Sequence, residues 1–293
     1  IFGVGGIQSM PGLLAAKSLG IPIALLEQNR IMGKANRALI RIARKVYAHL
    51  PVSGAKANHP KVSIAGNPVR RSLGKYSTPE ARLDLGLDAK KTTLLVMGGS
   101  QGAQAINDFI VASFPLFHAA KESLQIIHLT GTKNFEEMNA AYKGASFDHY
   151  LLPYGKEMGK LFAAADIVLC RSGATTISEL TMLGKPMILV PLPSSKEGDQ
   201  EFNARFVEER GAAMVIEQSR FAEPALMTSL LEKLILNTNA RAMMQDSAAL
   251  LGRPRAGKDI ALEVLAEIGV QVDPQRADSE RALRQTLRAK RAA

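Results

Sequence analysis

The 293-residue chain contains one cysteine, Cys170, and no tryptophan. One thiol closes no internal disulfide, which excludes a disulfide-stapled scaffold and fits a reducing compartment, the cytoplasm. No apolar run approaches the ~20 residues of a spanning helix, so no bilayer crossing is predicted. Metal-ligand spacing is missing too. His49, His59, His118, His128 and His149 stand apart, and no metal site is expected; His128 reads as a strand residue in the core or at its edge. There is no Gly-x4-Gly-Lys-Ser/Thr, which excludes a P-loop NTPase, and no Gly-x-Ser-x-Gly elbow. A dinucleotide fingerprint fails because Gln8 stands where a third glycine would follow Gly3 and Gly5. With 46% hydrophobic and 22% charged residues, the composition is that of a globular protein, neither disordered nor fibrous.

Acid is scarce at one end only. Residues 1–75 hold twelve Lys or Arg against the single acid Glu27, so the whole net charge of +10 sits in the first quarter. Its densest part, Lys34, Arg37, Arg41, Arg44 and Lys45, alternates with Ala35, Ala38, Leu39, Ile42, Ala43 and Val46 at helical spacing. That pattern predicts a basic amphipathic helix over 34–46. Two readings stay open for it: a solvated surface helix, or a face drawn to anionic lipid head groups, where each basic residue contributes ~1 kcal/mol. Nucleic acid is not expected, since no stacking aromatics accompany these residues.

The remaining pattern alternates short apolar runs with helical periods. Strands are expected over 22–26, 62–65, 93–97, 124–129, 150–152, 167–170 and 187–190. Helices are expected over 34–49, 104–114, 135–142, 158–165, 175–183, 200–210, 223–237 and 258–268. Such alternation predicts an α/β protein with doubly wound parallel sheets. Residues 1–6 read as the end of a buried strand entering a glycine turn, which suggests a chain truncated at its N-terminus. The boundaries expected are a first domain over 1–72, a polar connection over 73–91, a second domain over 92–255, a helix over 256–270 packing back on the first domain, and a basic tail over 271–293.

Ligands of open α/β sheets sit beyond the carboxyl ends of strands, so the residues there are the candidates. Gly98-Gly99-Ser100-Gln101-Gly102 lets backbone N–H groups and a helix N-terminus approach a phosphate, with Ser100 adding a hydroxyl. In Arg171-Ser172-Gly173-Ala174-Thr175-Thr176-Ile177-Ser178-Glu179, Ser172, Thr175 or Thr176 can cap a helix. Glu179, one turn in, is placed to accept hydrogen bonds from ribose hydroxyls. Without a ligand, the first segment is a tight turn and the second a capping box. A third segment, Gly198-Asp199-Gln200-Glu201-Phe202-Asn203, is a weaker signal.

In order along the chain, Gly5-Gly6, Pro11-Gly12, Glu27-Gln28-Asn29, Gly33, Asn36, Gly66-Asn67-Pro68-Val69-Arg70, the 98–102 turn, the 171–179 segment and Asp199-Gln200 with Asn203-Ala204 resemble the MurG family of peptidoglycan N-acetylglucosaminyltransferases, which convert lipid I to lipid II. The resemblance spans residues 3–268. It implies a GT-B architecture of two Rossmann-like domains, the first incomplete here, and inverting, metal-independent transfer with no cofactor. It further implies UDP-N-acetylglucosamine as donor, lipid I as acceptor, and a peripheral place on the cytoplasmic face of the bacterial plasma membrane, docked through the basic helix 34–46. By the same resemblance Asn29 and Gln200 contact the donor sugar and Arg70 reaches the nucleotide from near a hinge. Ser100 sits by the diphosphate, and Ala174, Thr175, Thr176, Ile177, Ser178 and Glu179 hold uridine, phosphates and ribose. Gly5, Gly6, Gly98, Gly99, Gln101, Gly102, Arg171 and Gly173 form phosphate loops.

The family's first glycine loop, with the histidine proposed as its base, falls before residue 1, so no catalytic base is assigned and the stretch alone is expected to be inactive. Leu26 stands for a family histidine, and Ile7, Gln8 and Met10 depart around the second glycine loop. Residues 153–158 differ from the family's pattern near its uracil contact. The alternatives are another GT-B UDP-sugar glycosyltransferase or epimerase, or a donor-binding fragment without activity.

Overall fold

The structure, a computed structural model, describes residues 1–99 and 101–270; Ser100 and the predicted tail over 271–293 lie outside the described residues. The described residues divide into two compact units, 1–69 with 253–270, and Arg70–Gly252.

The first unit runs β1 (Phe2–Gly3), α1 (Met10–Ser18), β2 (Ala24–Glu27), α2 (Lys34–Leu39), β3 (Lys45–Ala48) and β4 (Val62–Ile64). The strands form one parallel sheet in the order β1-β2-β3-β4. Leu25 and Val46, register partners, pack into a cluster with Leu13, Leu39 and Ile40. Leu26 and Tyr47, the next pair, turn to the opposite face and meet Ile260. Both faces are thus covered, and the strands read as apolar runs without alternation.

The predicted basic helix over 34–46 is not formed. α2 ends at Leu39, and Lys45–Ala48 is the strand β3. Two causes act. Val46 and Tyr47 gain more by complete burial inside the sheet than on a half-exposed helix. The Lys61 ammonium, from further along the chain, donates to the carbonyls of Ile40, Arg41 and Ala43 at 3.1, 2.8 and 2.6 Å, capping the turn where a longer helix would continue.

The second unit begins with α3 (Thr78–Asp84) and continues through β5 (Thr92–Met97), α4 (Gln104–Ala112), α5 (Phe114–Ala119), β6 (Leu124–Leu129), α6 (Phe135–Tyr142), β7 (His149–Leu152), α7 (Met158–Ala164) and β8 (Ile167–Cys170). It ends with α8 (Ala174–Met182), β9 (Met187–Leu189), α9 (Asp199–Glu208), β10 (Ala213–Val215), α10 (Leu226–Leu230) and α11 (Thr238–Leu251). Leu94 and Val96 of β5 enter the main core with Ile106, Phe109, Ile110 and Phe117, while Leu95 is equally buried on the other face. The helix expected over 223–237 is α10 followed by a wide π turn over Leu231–Ile235.

Residues 73–91 connect the domains in sequence, but in the structure they are part of the second unit. Arg82 of α3 is buried and donates to Ala164 O at 3.1 Å, Ala89 O at 2.9 Å and Asp166 Oδ2 at 2.5 Å. A final helix, α12 (Ala256–Glu267), belongs to the first unit. Its Ile260 covers Leu26 and Tyr47, Glu263 pairs with Lys45, and Glu267 O accepts from Arg44.

Candidate active site

The second sheet has the strand order β10-β9-β8-β5-β6-β7, and all its pairings are parallel. From β5 the chain winds to β6 and β7 on one side, then returns to lay β8 against the other side of β5. β5 and β8 therefore flank the topological switch point, where connections leave in opposite directions and open a crevice beyond the strand ends. The two strongest candidate segments lie there, 98–102 after β5 and 171–179 after β8.

Glycine is obligatory in the first. A Cβ on Gly98 would stand 2.3 Å from Ala103 N, and one on Gly102 (φ +76°) 2.4 Å from Thr130 O. Gly99 (φ +92°) has nothing within 4 Å of that position, so the turn is packed below and open above. Gly102 N donates to Gly99 O at 3.0 Å, and α4 starts without a side-chain cap.

The second segment enters α8, whose cap residue Gly173 is extended and carries no side-chain cap bond. Ser172, expected as a possible cap, instead donates its hydroxyl to Gln200 O at 2.9 Å, and Asn203 Nδ2 donates back to Ser172 O at 3.4 Å. These bonds bring the 171–179 and 199–203 segments into one site. Ala174, Ile177 and Ser178 are buried; Ile177 N donates to Gly173 O and Ser178 Oγ to Ala174 O, so of these three only Ala174, in the first turn, can present its backbone N–H to a ligand. Thr175 is exposed, while Thr176 and Glu179 are half-buried. Burial lifts the Glu179 carboxyl above the usual carboxylate range and the Arg70 guanidinium pulls it back, so the structure brings these two expected residues together. Arg171, expected in a phosphate loop, donates to Val190 O, Pro191 O and Gln218 Oε1. Its guanidinium braces the end of β9.

Gln200 is fixed by Leu192 N, which donates to its Oε1 at 3.1 Å. The loop before it holds two successive left-handed residues, Glu197 (φ 55°) and Gly198 (φ 69°); a non-glycine residue in that region is costly and is found where the surroundings enforce it.

In the first unit the expected residues Asn29, Gly5 and Gly6 lie at the ends of β2 and β1. Buried Glu27 organises the loop carrying Asn29: its Oε1 accepts from Asn29 N at 3.0 Å, its Oε2 from Gly33 N and Asn36 Nδ2, both at 2.9 Å. Burial raises its pKa and these donors oppose the rise. Gly5 and Gly6 both have positive φ, and Gly5 lies beside the Asn36 amide. Among the described residues no three His, Cys, Asp or Glu side chains cluster as a metal site would require. Sequence reasoning passed over Asn107, a buried polar residue on the apolar face of α4; its signal was a polar residue inside the Ile106, Phe109, Ile110 stripe.

Residues 93–260 match the glycosyltransferase family 28 C-terminal domain, and residues 1–48 match the glycosyltransferase family 28 N-terminal domain. Together with the two Rossmann-like parallel-sheet units, these matches define a GT-B glycosyltransferase of family 28. The UDP-N-acetylglucosamine--N-acetylmuramyl-(pentapeptide) pyrophosphoryl-undecaprenol N-acetylglucosamine transferase of Anaeromyxobacter sp. (strain Fw109-5) is 36% identical over 269 residues, covering 92% of this chain and 68% of that protein. The enzyme of the same name from Myxococcus xanthus is 34% identical, covering 92% and 69%. The crystal structure of Acinetobacter baumannii MurG superposes with a TM-score of 0.73 at 29% identity over 91% of this chain and 74% of that one. The chain belongs to the family of these transferases, the MurG family. A UDP-N-acetylglucosamine 2-epimerase structure from Listeria monocytogenes, at 15% identity and a TM-score of 0.65 over 94% of this chain and 75% of that one, shares the fold alone.

Proposed function

We propose that this chain carries the donor-binding machinery of an enzyme that transfers N-acetylglucosamine from UDP-N-acetylglucosamine to the pyrophosphoryl-undecaprenol-linked N-acetylmuramyl-pentapeptide, lipid I. The observation that carries this reading is the placement of the 98–102 turn and the α8 N-terminus on adjacent strands at the switch point. The acceptor hydroxyl attacks the anomeric carbon as its bond to the UDP oxygen breaks, with inversion. The electron pair of that bond leaves on the diphosphate, and the hydroxyl proton passes to a base. Backbone N–H groups of the turn and of the α8 N-terminus stabilise the growing negative charge, as preorganised dipoles do most effectively away from bulk water. Glu179 accepts from the ribose hydroxyls, with Arg70 opposing the rise in its pKa that burial causes, and Gln200 contacts the sugar.

Among the described residues no helix is long and apolar enough to cross a membrane. A peripheral position on the cytoplasmic face of the plasma membrane is supported by the excess of basic residues in the first unit. The test is calorimetric titration of the chain with UDP-N-acetylglucosamine, UDP and UMP. Binding of the first two is expected, and Glu179→Gln should weaken UDP by about 10- to 100-fold, the effect of losing a charged hydrogen bond. Absence of UDP binding at millimolar concentration would refute the donor site.

A further inference from the structure

Beneath the 98–102 turn runs a chain of buried polar groups that the transfer chemistry does not require. Asn107 and His128 are fully buried and Tyr142 nearly so. Asn107 Nδ2 donates to Thr130 O at 3.0 Å, which leaves its Oδ1 to accept from His128 Nε2 at 3.1 Å. The imidazole proton is then on Nε2, and Nδ1 accepts from the Tyr142 hydroxyl at 3.0 Å. Burial holds this histidine neutral, its pKa pushed down to about 3. The relay thus has one consistent direction, from Tyr142 through His128 and Asn107 to the carbonyl of Thr130.

That carbonyl supports the turn. Gly102 lies so close that a Cβ would fall 2.4 Å from Thr130 O, and a Cβ on Gly131 would fall 2.6 Å from Gly102 Cα and 2.8 Å from Gln101 O. Asn107 also stands on α4, the helix that the turn leads into. One amide therefore fastens both the β6 end and the α4 start around the turn. A buried polar network of this kind is no more stabilising than apolar packing of the same shape, but it fixes orientation. We propose that Asn107, oriented by His128, is a positioning residue that sets the Gln101-Gly102 backbone for the donor diphosphate. The inference rests on the reading of that turn as the diphosphate site.

The test compares the affinity of the intact chain for UDP and for uridine. Asn107→Asp places a second acceptor against Thr130 O; UDP should weaken about tenfold or more while uridine stays within about twofold, because only the diphosphate depends on the turn. His128→Leu should weaken UDP about three- to tenfold, and His128→Gln, which keeps an N–H toward Asn107, should restore it to within about twofold. If Asn107→Asp does not fold, the His128 pair decides. Unchanged UDP affinity in these variants, equal loss of UDP and uridine, or no rescue by glutamine overturns the inference. A wild-type chain that binds no UDP overturns the donor-site reading itself.

Discussion

Replacing Arg82 by methionine keeps the aliphatic stem and removes the guanidinium that binds α3 to the second unit. Two backbone carbonyls, Ala164 O and Ala89 O, lose their donors, at about 1 kcal/mol or more each. Asp166 loses its ion-pair partner while keeping the 2.7 Å bond from Thr93 N. Because Asp166 is 31% exposed, solvent limits that term to about 1–2 kcal/mol. The expected total is about 3–4 kcal/mol, at the low end of what breaking a buried pair costs. Urea denaturation followed by far-ultraviolet circular dichroism should show a midpoint lowered by about 1–2 M for a slope of about 2–3 kcal/mol per M. Amide exchange should rise over residues 78–91. UDP affinity of the folded variant should persist, since Asp166 and Thr93 lie at the amino ends of β8 and β5, away from the 98–102 turn. A stability loss below about 1 kcal/mol would refute the assignment of this segment to the unit's body.

Lys61→Met should destabilise the first unit by about 1–3 kcal/mol through the three uncapped carbonyls, with faster amide exchange over 40–46; unaltered exchange would refute the capping role. Burial pushes His49 down to about 4 and His128 to about 3. Below about pH 6.5 the unfolded chain takes up protons that the folded units refuse, so stability should fall with pH through this window by about 1.4 kcal/mol per pH unit for each histidine. Urea midpoints that stay level between pH 7 and pH 5 would contradict this. Exchanging Arg37, Arg41 and Arg44 for glutamate should abolish binding to anionic vesicles, at about 1 kcal/mol per basic residue removed, and sedimentation with vesicles that does not change would sink the membrane reading. Gly102→Ala should abolish UDP binding, because the new methyl meets Thr130 O at a backbone angle that only glycine tolerates; retained binding in calorimetry would show that the turn does not hold the diphosphate.

The strands of the second unit were legible because burial on both faces leaves apolar runs, as in Ile167–Cys170 and Leu124–Leu129. The glycine turns were legible because close approach leaves no alternative residue. α11 was missed for a different reason: Ala240, Met244 and Ala248 face the core, but Met243 and Leu250 are exposed, so apolar residues on both sides blur its stripe. α1, α3 and the three-residue strand β10 were passed over as well, being short and weakly patterned. The sequence also gave no sign that the Arg171 guanidinium would brace β9.

By itself the sequence determined the α/β class, the glycine turns and the kinds of residue that can face a sugar nucleotide, because these depend on local sterics and on burial patterns along the chain. Tertiary structure decided the rest. The placing of β8 against β5 set the two turns side by side, the Lys61 ammonium ended a helix whose own periodicity continued, and the bonds of Asn107 to Thr130 and His128 tied α4 to the end of β6. Each of these is a contact between residues distant along the chain, and its energy exists only once the sheet has brought them together.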